Sequence, residues 1–165
     1  MKKNIKKELI EYLIIILVVL FIRFFIITPI KVQQKSMFPT LNPNDIMILD
    51  KIGLKLGNIE RFDIVVIKHE KEYLIKRVIG LPGEIIEYKE GKLYVNGKQI
   101  PETFIRVNTA DFKLEEKIKD DNYFLVGDNR NNSTDSRTFG SINKKDIVGK
   151  TSLIVFPFNR FGLIN

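Results

Sequence analysis

Two kinds of hydrophobic pattern divide this chain. From Leu9 to Ile30 the residues LIEYLIIILVVLFIRFFIITPI are almost continuously apolar, and Glu11 and Arg23 are the charged residues among them. A helix needs about 20 apolar residues to cross the hydrocarbon core of a membrane. The run therefore predicts a transmembrane helix over residues 9–30.

The residues on either side of this run favour an uncleaved anchor over a cleaved signal peptide or a buried core helix. A cleavable signal has a shorter apolar region followed by small residues of the A-x-A kind, whereas this run ends in FFIITPIKV. Four lysines precede the run, and the positive-inside rule places them in the cytoplasm. The expected organisation of this single-pass membrane protein is a basic cytoplasmic tail over 1–8, an anchor over 9–30 and an extracytoplasmic domain over 31–165.

Beyond Val32 the apolar residues come in short β-branched runs separated by turn residues, which is typical of strands. The runs are DIMIL, FDIVVIK, EYLIKRVIG, EIIEY, KLYV, KQI, NYFLVGD and DIVGKTSLIVF. Asn96-Gly97 between KLYV and KQI indicates a type I′ hairpin turn, because both residues accept a positive φ. The fold class predicted for 31–165 is mainly β, with an antiparallel sheet.

The composition of the chain excludes several kinds of partner and site. The chain has 165 residues and a net charge of +7, and Lys2, Lys3, Lys6 and Lys7 supply four of these charges. The remaining sequence has no basic cluster interleaved with aromatic residues, so we expect no nucleic-acid partner. The absence of cysteine excludes disulfides, zinc-thiolate sites and cysteine nucleophiles.

A histidine base and a metal site are both disfavoured. The single histidine, His69, lies among charged residues in IKHEKEY, which indicates a solvated hairpin turn. The polar segment GDNRNNSTDSR lacks the glycine and terminal glutamate of a calcium loop, and Arg130 stands where such a loop has an oxygen ligand. No metal and no cofactor are expected.

A serine nucleophile can instead use a neutral lysine as its base. A free lysine, with a pKa of about 10.4, is neutral in roughly one of 2,500 molecules at pH 7, so burial must depress its pKa. Lys76 in YLIKRVIGLPG has the required apolar flanks, although an edge-strand lysine that blocks aggregation has the same pattern. Ser36 in VQQKSMFPTL follows the anchor within about half a dozen residues, so it emerges close to the membrane surface.

Four segments together resemble the type I signal peptidases, which are membrane-bound serine proteases. SMFPTL is similar to the family's nucleophile box, and KRVIGLPGE is similar to its lysine box. RFDIVVIK resembles a G-D-I-V strand with Phe62 in place of the glycine, and GDNRNNSTDSRTFG resembles the family's G-D-N-R box. The segments follow the family's order behind an N-terminal anchor. Only a short stretch of sequence separates the lysine box from the G-D-N-R box, which resembles the compact Gram-positive form of the family.

The resemblance implies a Ser-Lys dyad and a fold of the signal-peptidase and repressor-protease kind. Ser36 would be the nucleophile and Lys76 the general base, with Ser133 orienting the lysine. Supporting polar contacts are implied for Arg77, Asp128, Asp135 and Arg137.

The resemblance also implies how substrate is bound. Exported preproteins would lie as an extended strand along a sheet edge and be cut after small residues at −1 and −3. The nucleophile's backbone N–H would stabilise the oxyanion, and Gln34 occupies the position of a second donor that is expected to be Ser or Gly. Met37, Phe38 and Leu41 are expected in the substrate pockets or at a lipid-facing rim, and for Met37 a place in the core is an equal alternative. The expected partners are preprotein signal peptides and the lipid bilayer, for a monomer linked in function to the secretion translocase.

Two other functions remain open on the sequence. A self-cleaving repressor shares the dyad, but it carries a DNA-binding domain in place of an anchor. A non-catalytic anchored β domain that binds secreted chains is the alternative of a different class, and it has no need for a lysine buried near a serine.

Overall fold

The computed structural model describes residues 5–21, 27–105 and 107–164. Helix α1 (Ile5–Phe21) comes first, and none of its residues is buried. Its large apolar side chains are between 41% and 68% exposed, so α1 contributes nothing to the core. Among the residues described, no helix combines the length and the apolar character needed to span a membrane.

The chain after α1 departs from the predicted helix. Residues 22–26, which include Arg23, lie outside the described ranges, but Ile27–Lys31 form strand β1 and pair antiparallel with β2 (Ile46–Asp50). The prediction of a helix as far as Ile30 is therefore wrong at its end. Pro29 has no N–H for a helical hydrogen bond, and β-branched neighbours favour an extended backbone, which explains the change.

Short antiparallel strands make up most of the remaining chain, which confirms the mainly β prediction. The strands are β3 (Ile64–His69), β4 (Glu72–Gly80), β5 (Ile86–Lys89), β6 (Lys92–Val95), β7 (Lys98–Ile100), β8 (Phe112–Lys113), β9 (Asn122–Val126), β10 (Ile142–Asn143), β11 (Ile147–Phe156) and β12 (Gly162–Leu163). The helices between them are α2 (Ile52–Leu56), α3 (Ser136–Phe139) and 3-10 turns at Lys144–Asp146 and Phe158–Arg160.

The larger sheet has the strand order β1-β2-β11-β3-β4-β9-β10, and β12 adds to β11. β4 pairs with β3 along its length, from His69↔Glu72 to Ile64↔Arg77. In the described chain, β9 pairs on the other side of β4 with Arg77, Val78 and Gly80 alone. Among the residues described, the edge of β4 from Glu72 to Lys76 therefore has no strand on that side; we call it the open edge of β4.

The smaller sheet has the order β7-β6-β5-β8. Its β6–β7 turn has φ values of 49° at Asn96 and 79° at Gly97, which confirms the predicted hairpin turn. Ile86 of β5 and Phe124 of β9 are fully buried in one apolar cluster, so the two sheets share a core.

A separate apolar cluster lies beneath the turn that carries Ser36. Val32, Met37 and Leu41 are buried in it against Met47 of β2 and Ile154 of β11. Apolar residues on both sides of Ser36 therefore fix the turn to the larger sheet.

Candidate active site

Ser36 lies in the turn that connects β1 to β2 and is buried, with 8% of the residue exposed. Its carbonyl oxygen accepts a hydrogen bond of 2.9 Å from the backbone N–H of Asn129. The side-chain amide of Asn129 donates to the carbonyl of Lys35 at 3.1 Å. The turn is thus attached to the GDNR segment, almost a hundred residues further along the chain.

Lys76 is buried because of its position in β4. Side chains alternate across a strand, so Lys76 lies on the same face as Leu74 and Val78, which belong to the core. It is 1% exposed, and its Nζ donates to Ser133 Oγ at 3.1 Å.

The surroundings of Lys76 lower its pKa to about 8. Burial is the largest cause, because the charged ammonium loses its hydration. The Asp135 carboxylate raises the Lys76 pKa and the Arg137 guanidinium lowers it. Because these two effects oppose each other, burial determines the direction of the shift. An amine with this pKa exists in its neutral, basic form far more often than a free lysine does.

Gly127 joins the serine turn to the lysine. A Cβ built on Gly127 would collide with both Ser133 Oγ and the Ser36 carbonyl oxygen. Only a glycine allows both groups to approach this closely, so Gly127 brings the surroundings of Ser36, Ser133 and Lys76 together.

Asp135 holds the loop around Ser133. Its carboxylate accepts from the Gly127 N–H at 3.0 Å and from the Arg137 guanidinium at 2.8 and 2.9 Å. Burial by itself would raise the pKa of Asp135, but hydrogen bonds from Arg137, Gly127 and Ser133 bring it below its ordinary value. The group is therefore a carboxylate at neutral pH and caps the N-terminus of α3.

Arg77 and Asp128 form a buried, bidentate ion pair with distances of 2.9 and 2.7 Å. Thr40 donates its hydroxyl to the same carboxylate, which ties the end of the serine turn to this pair. Arg77 also donates to the Phe62 carbonyl at 3.0 Å. Phe62 has a φ of 75°, a conformation that favours glycine and that matches the residue the resemblance leads us to expect there.

A groove of about 640 Å³ runs past Ser36. Its walls include Gln34 and Met37 from the serine turn, and Tyr73 and Ile75 from the open edge of β4. Gln34 and Met37 thus line the groove beside Ser36, and Met37 is also part of the core. Their contact with substrate stays a prediction.

The structure separates two further residues of the serine turn. Leu41 is fully buried in the core, so it lines neither the groove nor an exposed rim. Phe38 is 51% exposed and does not line the groove, so its place at a lipid-facing rim stays a prediction.

The structure also locates His69, the base that the sequence disfavours, and the acidic residues that a metal site would need. His69 ends β3 and stacks on Phe139 with ring centroids 4.3 Å apart, so its predicted solvated turn is partly covered. Within the described ranges there is no group of three His, Cys, Asp or Glu residues arranged to hold a metal ion.

Sequence reasoning missed one polar cluster beside this site. Arg130 donates to the Gly127 carbonyl at 3.1 Å and forms an ion pair of 2.6 Å with Glu102. Arg130 stands in the GDNR segment and could have been selected there, whereas nothing in the sequence around Glu102 marks it.

A buried lysine of lowered pKa near a serine turn, on an antiparallel β fold, is the arrangement expected of a serine peptidase that uses a lysine base. Comparison with known families agrees: residues 5–156 match the model described as "Signal peptidase, peptidase S26". The chain belongs to this family, and it is a serine peptidase.

Similar proteins cover nearly the whole chain. Signal peptidase I of Bacillus caldolyticus is 39% identical over 91% of this chain and 91% of its own length. Signal peptidase I P of Bacillus subtilis subsp. natto is 40% identical over 96% and 93%, and signal peptidase IB of Staphylococcus aureus is 38% identical over 94% of each.

A crystal structure of a signal peptidase I from Enterococcus faecalis V583 has a similar fold. It is 34% identical, with a TM-score of 0.53, and covers 57% of this chain and 97% of the crystallised one.

Proposed function

We propose that this protein is a membrane-anchored serine endopeptidase that removes N-terminal signal peptides from exported preproteins, with Ser36 as nucleophile and Lys76 as general base. Its membership of the signal peptidase family supports the reaction. The observation that carries the residue assignment is the buried Lys76 amine, which has a pKa of about 8 and a hydrogen bond to Ser133.

The proposed reaction has two halves. Neutral Lys76 accepts the proton of the Ser36 hydroxyl as Oγ bonds to the scissile carbonyl carbon, and the carbonyl oxygen becomes an oxyanion. The oxyanion collapses, the carbon–nitrogen bond breaks, and the lysine ammonium returns its proton to the leaving amine. Water then attacks the acyl-serine ester with Lys76 again as base, which releases the signal peptide and restores Ser36.

Ser133 and Asp135 would support this base without taking its proton. Ser133 accepts a hydrogen bond from the lysine and restricts the direction of its amine. Asp135 and Arg137 hold the surrounding loop, while Arg77 and Asp128 hold the strand and the serine turn. Each of these groups acts through its position.

The oxyanion needs donors fixed before the reaction. The Ser36 backbone N–H is the proposed first donor. Gln34 is exposed and lines the groove, so its side-chain amide is the proposed second donor.

The open edge of β4 from Glu72 to Lys76 is the proposed docking site for the preprotein. An extended segment there could pair with the free backbone groups, as peptides do when they add a strand to a sheet. Tyr73 and Ile75 on this edge, with Met37 opposite, would limit the side chains accepted to small ones at −3 and −1.

The bilayer is the proposed partner of α1. Its large apolar side chains are exposed on all faces, which is costly in water and favourable in lipid. We propose a cytoplasmic N-terminus and a single membrane pass, with the catalytic domain on the outer side. The protein would act as a monomer, in functional contact with the secretion translocase.

Cleavage of a purified preprotein with an A-x-A site by the detergent-solubilised full chain tests the proposal. We expect one cut directly after this site, verified by product masses, and its loss in Ser36→Ala and Lys76→Ala. His69→Ala is the control and should cleave normally. A chain that binds the preprotein without cutting it would instead indicate the non-catalytic binding domain.

A further inference from the structure

Glu102 and Arg130 form a buried ion pair that has no place in the chemistry proposed above. Their side chains are 7% and 0% exposed, and Arg130 Nη2 lies 2.6 Å from Glu102 Oε1. Thr109 Oγ1 accepts a second hydrogen bond from Arg130, and the Tyr88 hydroxyl donates to Glu102 at 3.0 Å. Buried charges are tolerated only when they are paired and hydrogen-bonded, so this pair depends on having all its partners in place.

The other end of Arg130 reaches the candidate active site. Its Nε donates to the Gly127 carbonyl at 3.1 Å, while the Gly127 N–H donates to Asp135 at 3.0 Å. Both polar groups of Gly127 are therefore held, and Gly127 in turn contacts Ser133 and the Ser36 carbonyl. A continuous set of contacts leads from Glu102 through Arg130 and Gly127 to the lysine partner Ser133.

This set of contacts crosses between the two sheets. Tyr88 belongs to β5 of the smaller sheet, and Glu102 and Thr109 follow β7 of the same sheet. We propose that Glu102 is a positioning residue, which through Arg130 holds Gly127 against Ser133 and keeps water away from the Lys76 amine. This inference rests on the proposed function of Lys76 as general base.

The charges around Lys76 oppose one another, so a loss of its burial should be measurable as a rise in its pKa. Asp135 and Arg137 act on the amine with opposite signs, and the neighbouring Arg77 is neutralised by Asp128. Burial is the largest influence on the Lys76 pKa. If Gly127 withdraws, water reaches the amine and the pKa rises toward the ordinary value of about 10.4.

Glu102→Gln tests the inference, because it keeps the shape of the side chain and removes its charge. Using the full chain in detergent, we would measure kcat/KM for a preprotein peptide between about pH 6 and about pH 10. The midpoint of the pH profile should move up by about one pH unit. This shift lowers kcat/KM at pH 7 about tenfold and leaves its alkaline plateau unchanged.

Glu84→Gln is the matched control. Glu84 forms a similar pair with Arg61 at 2.6 Å, with side chains 17% and 18% exposed. Their other side-chain hydrogen bonds join the Ile79 carbonyl and the Leu81 N–H, away from the GDNR segment. Its midpoint should stay where the unmodified chain has it, whatever its stability. An equal upward shift in Glu84→Gln would overturn the inference.

Two further outcomes are decisive. A folded Glu102→Gln chain that is slower by the same factor at every pH would show a structural role only and would overturn the inference. If Glu102→Gln does not fold, Thr109→Val removes one acceptor of Arg130 and should give a smaller upward shift. An unchanged midpoint in folded Thr109→Val would likewise overturn it.

Failure of the proposed function has a different signature. If the unmodified chain does not cleave, or if Lys76→Ala cleaves normally, the general-base assignment falls and the positioning role falls with it. If the unmodified chain cleaves, Lys76→Ala does not, and Glu102→Gln keeps the original midpoint, the positioning role alone is wrong.

Discussion

Lys76 gains reactivity from its burial. With a pKa of about 8 it is neutral in roughly one of ten molecules at pH 7, against one of 2,500 for a free lysine. We expect kcat/KM to rise about tenfold per pH unit below about 8 and to level off above it, because the neutral amine is the proposed base. A pH profile on a preprotein peptide measures this, and a maximum near pH 5 would contradict it.

The same burial should destabilise the folded chain. The folded pKa of Lys76 lies below its unfolded value, so the unfolded state binds more protons between about pH 8 and 10.5, and stability rises with pH across that window. Lys76→Met should abolish cleavage and raise the free energy of unfolding at pH 7 by about 1 to 3 kcal/mol. The gain should fade toward pH 10.5, since the lysine is neutral in both states only above that value.

Denaturant unfolding at several pH values measures this gain. Lys68→Met is the matched control, because Lys68 lies exposed in the neighbouring strand, and it should change stability by less than about 0.5 kcal/mol. A Lys76→Met chain that is less stable than the unmodified one at pH 7 would refute the destabilising role of the buried charge.

Individual residues differed in how far the sequence could predict them. Lys76 could be found because apolar neighbours in a strand imply burial, and the structure places Ser133 against it. Glu102 could not be found, because its partner Arg130 is brought close only by the packing of two sheets. The choice between the groove and an exposed rim for Phe38 was also out of reach, since it depends on the local path of a turn.

At the scale of elements, the segment after β9 depends on the glycine at its start. Gly127→Ala should lower kcat/KM about a hundredfold or more, because the new methyl group would push Ser133 and the Ser36 carbonyl apart. Steady-state cleavage measures the loss. The reason is steric, so Gly127→Ser should be at least as damaging.

Gly97→Ala is the control for this prediction. Gly97 has a φ of 79°, and a Cβ added there would meet no atom within 4 Å, so alanine should cost about 1 to 2 kcal/mol of stability through its backbone alone. Cleavage by folded Gly97→Ala should be normal. Equal losses of activity in both variants would mean that Gly127 has no special role.

The elements themselves were largely predictable where the pattern is local. Alternating β-branched runs predicted the strands, and Asn96-Gly97 predicted its hairpin turn. The beginning of β1 was not predicted, because ITPIK continues an apolar run and only its pairing with β2 decides in favour of a strand. The strand order was also out of reach, since β11 inserts between β2 and β3 from the far end of the chain.

At the scale of the whole molecule, α1 should determine where the protein resides. The full chain should float with lipid vesicles, and replacement of Ile14, Ile15 and Ile16 by lysine should prevent this, at about 3 kcal/mol per charge in the hydrocarbon. Cleavage of a short peptide in detergent should survive, because α1 contributes no buried residue. Vesicle flotation measures the first effect.

Glu115→Lys with Glu116→Lys controls for added charge, because both side chains are exposed on the β domain. This variant should float as the unmodified chain does. Flotation of the triple lysine variant to the same extent as the unmodified chain would show that α1 does not hold the protein in lipid.

The open edge of β4 has a consequence for the choice of substrate. An edge that accepts a new strand requires a partner whose own N–H and C=O groups are unoccupied and whose backbone is extended over several residues. A compact domain has already committed these groups to its own hydrogen bonds. Under the proposed docking, the protein would therefore distinguish its substrates by their folding state as well as by their sequence: a cleavage motif would be cut while its chain is unfolded and spared once the same residues are enclosed in a native structure.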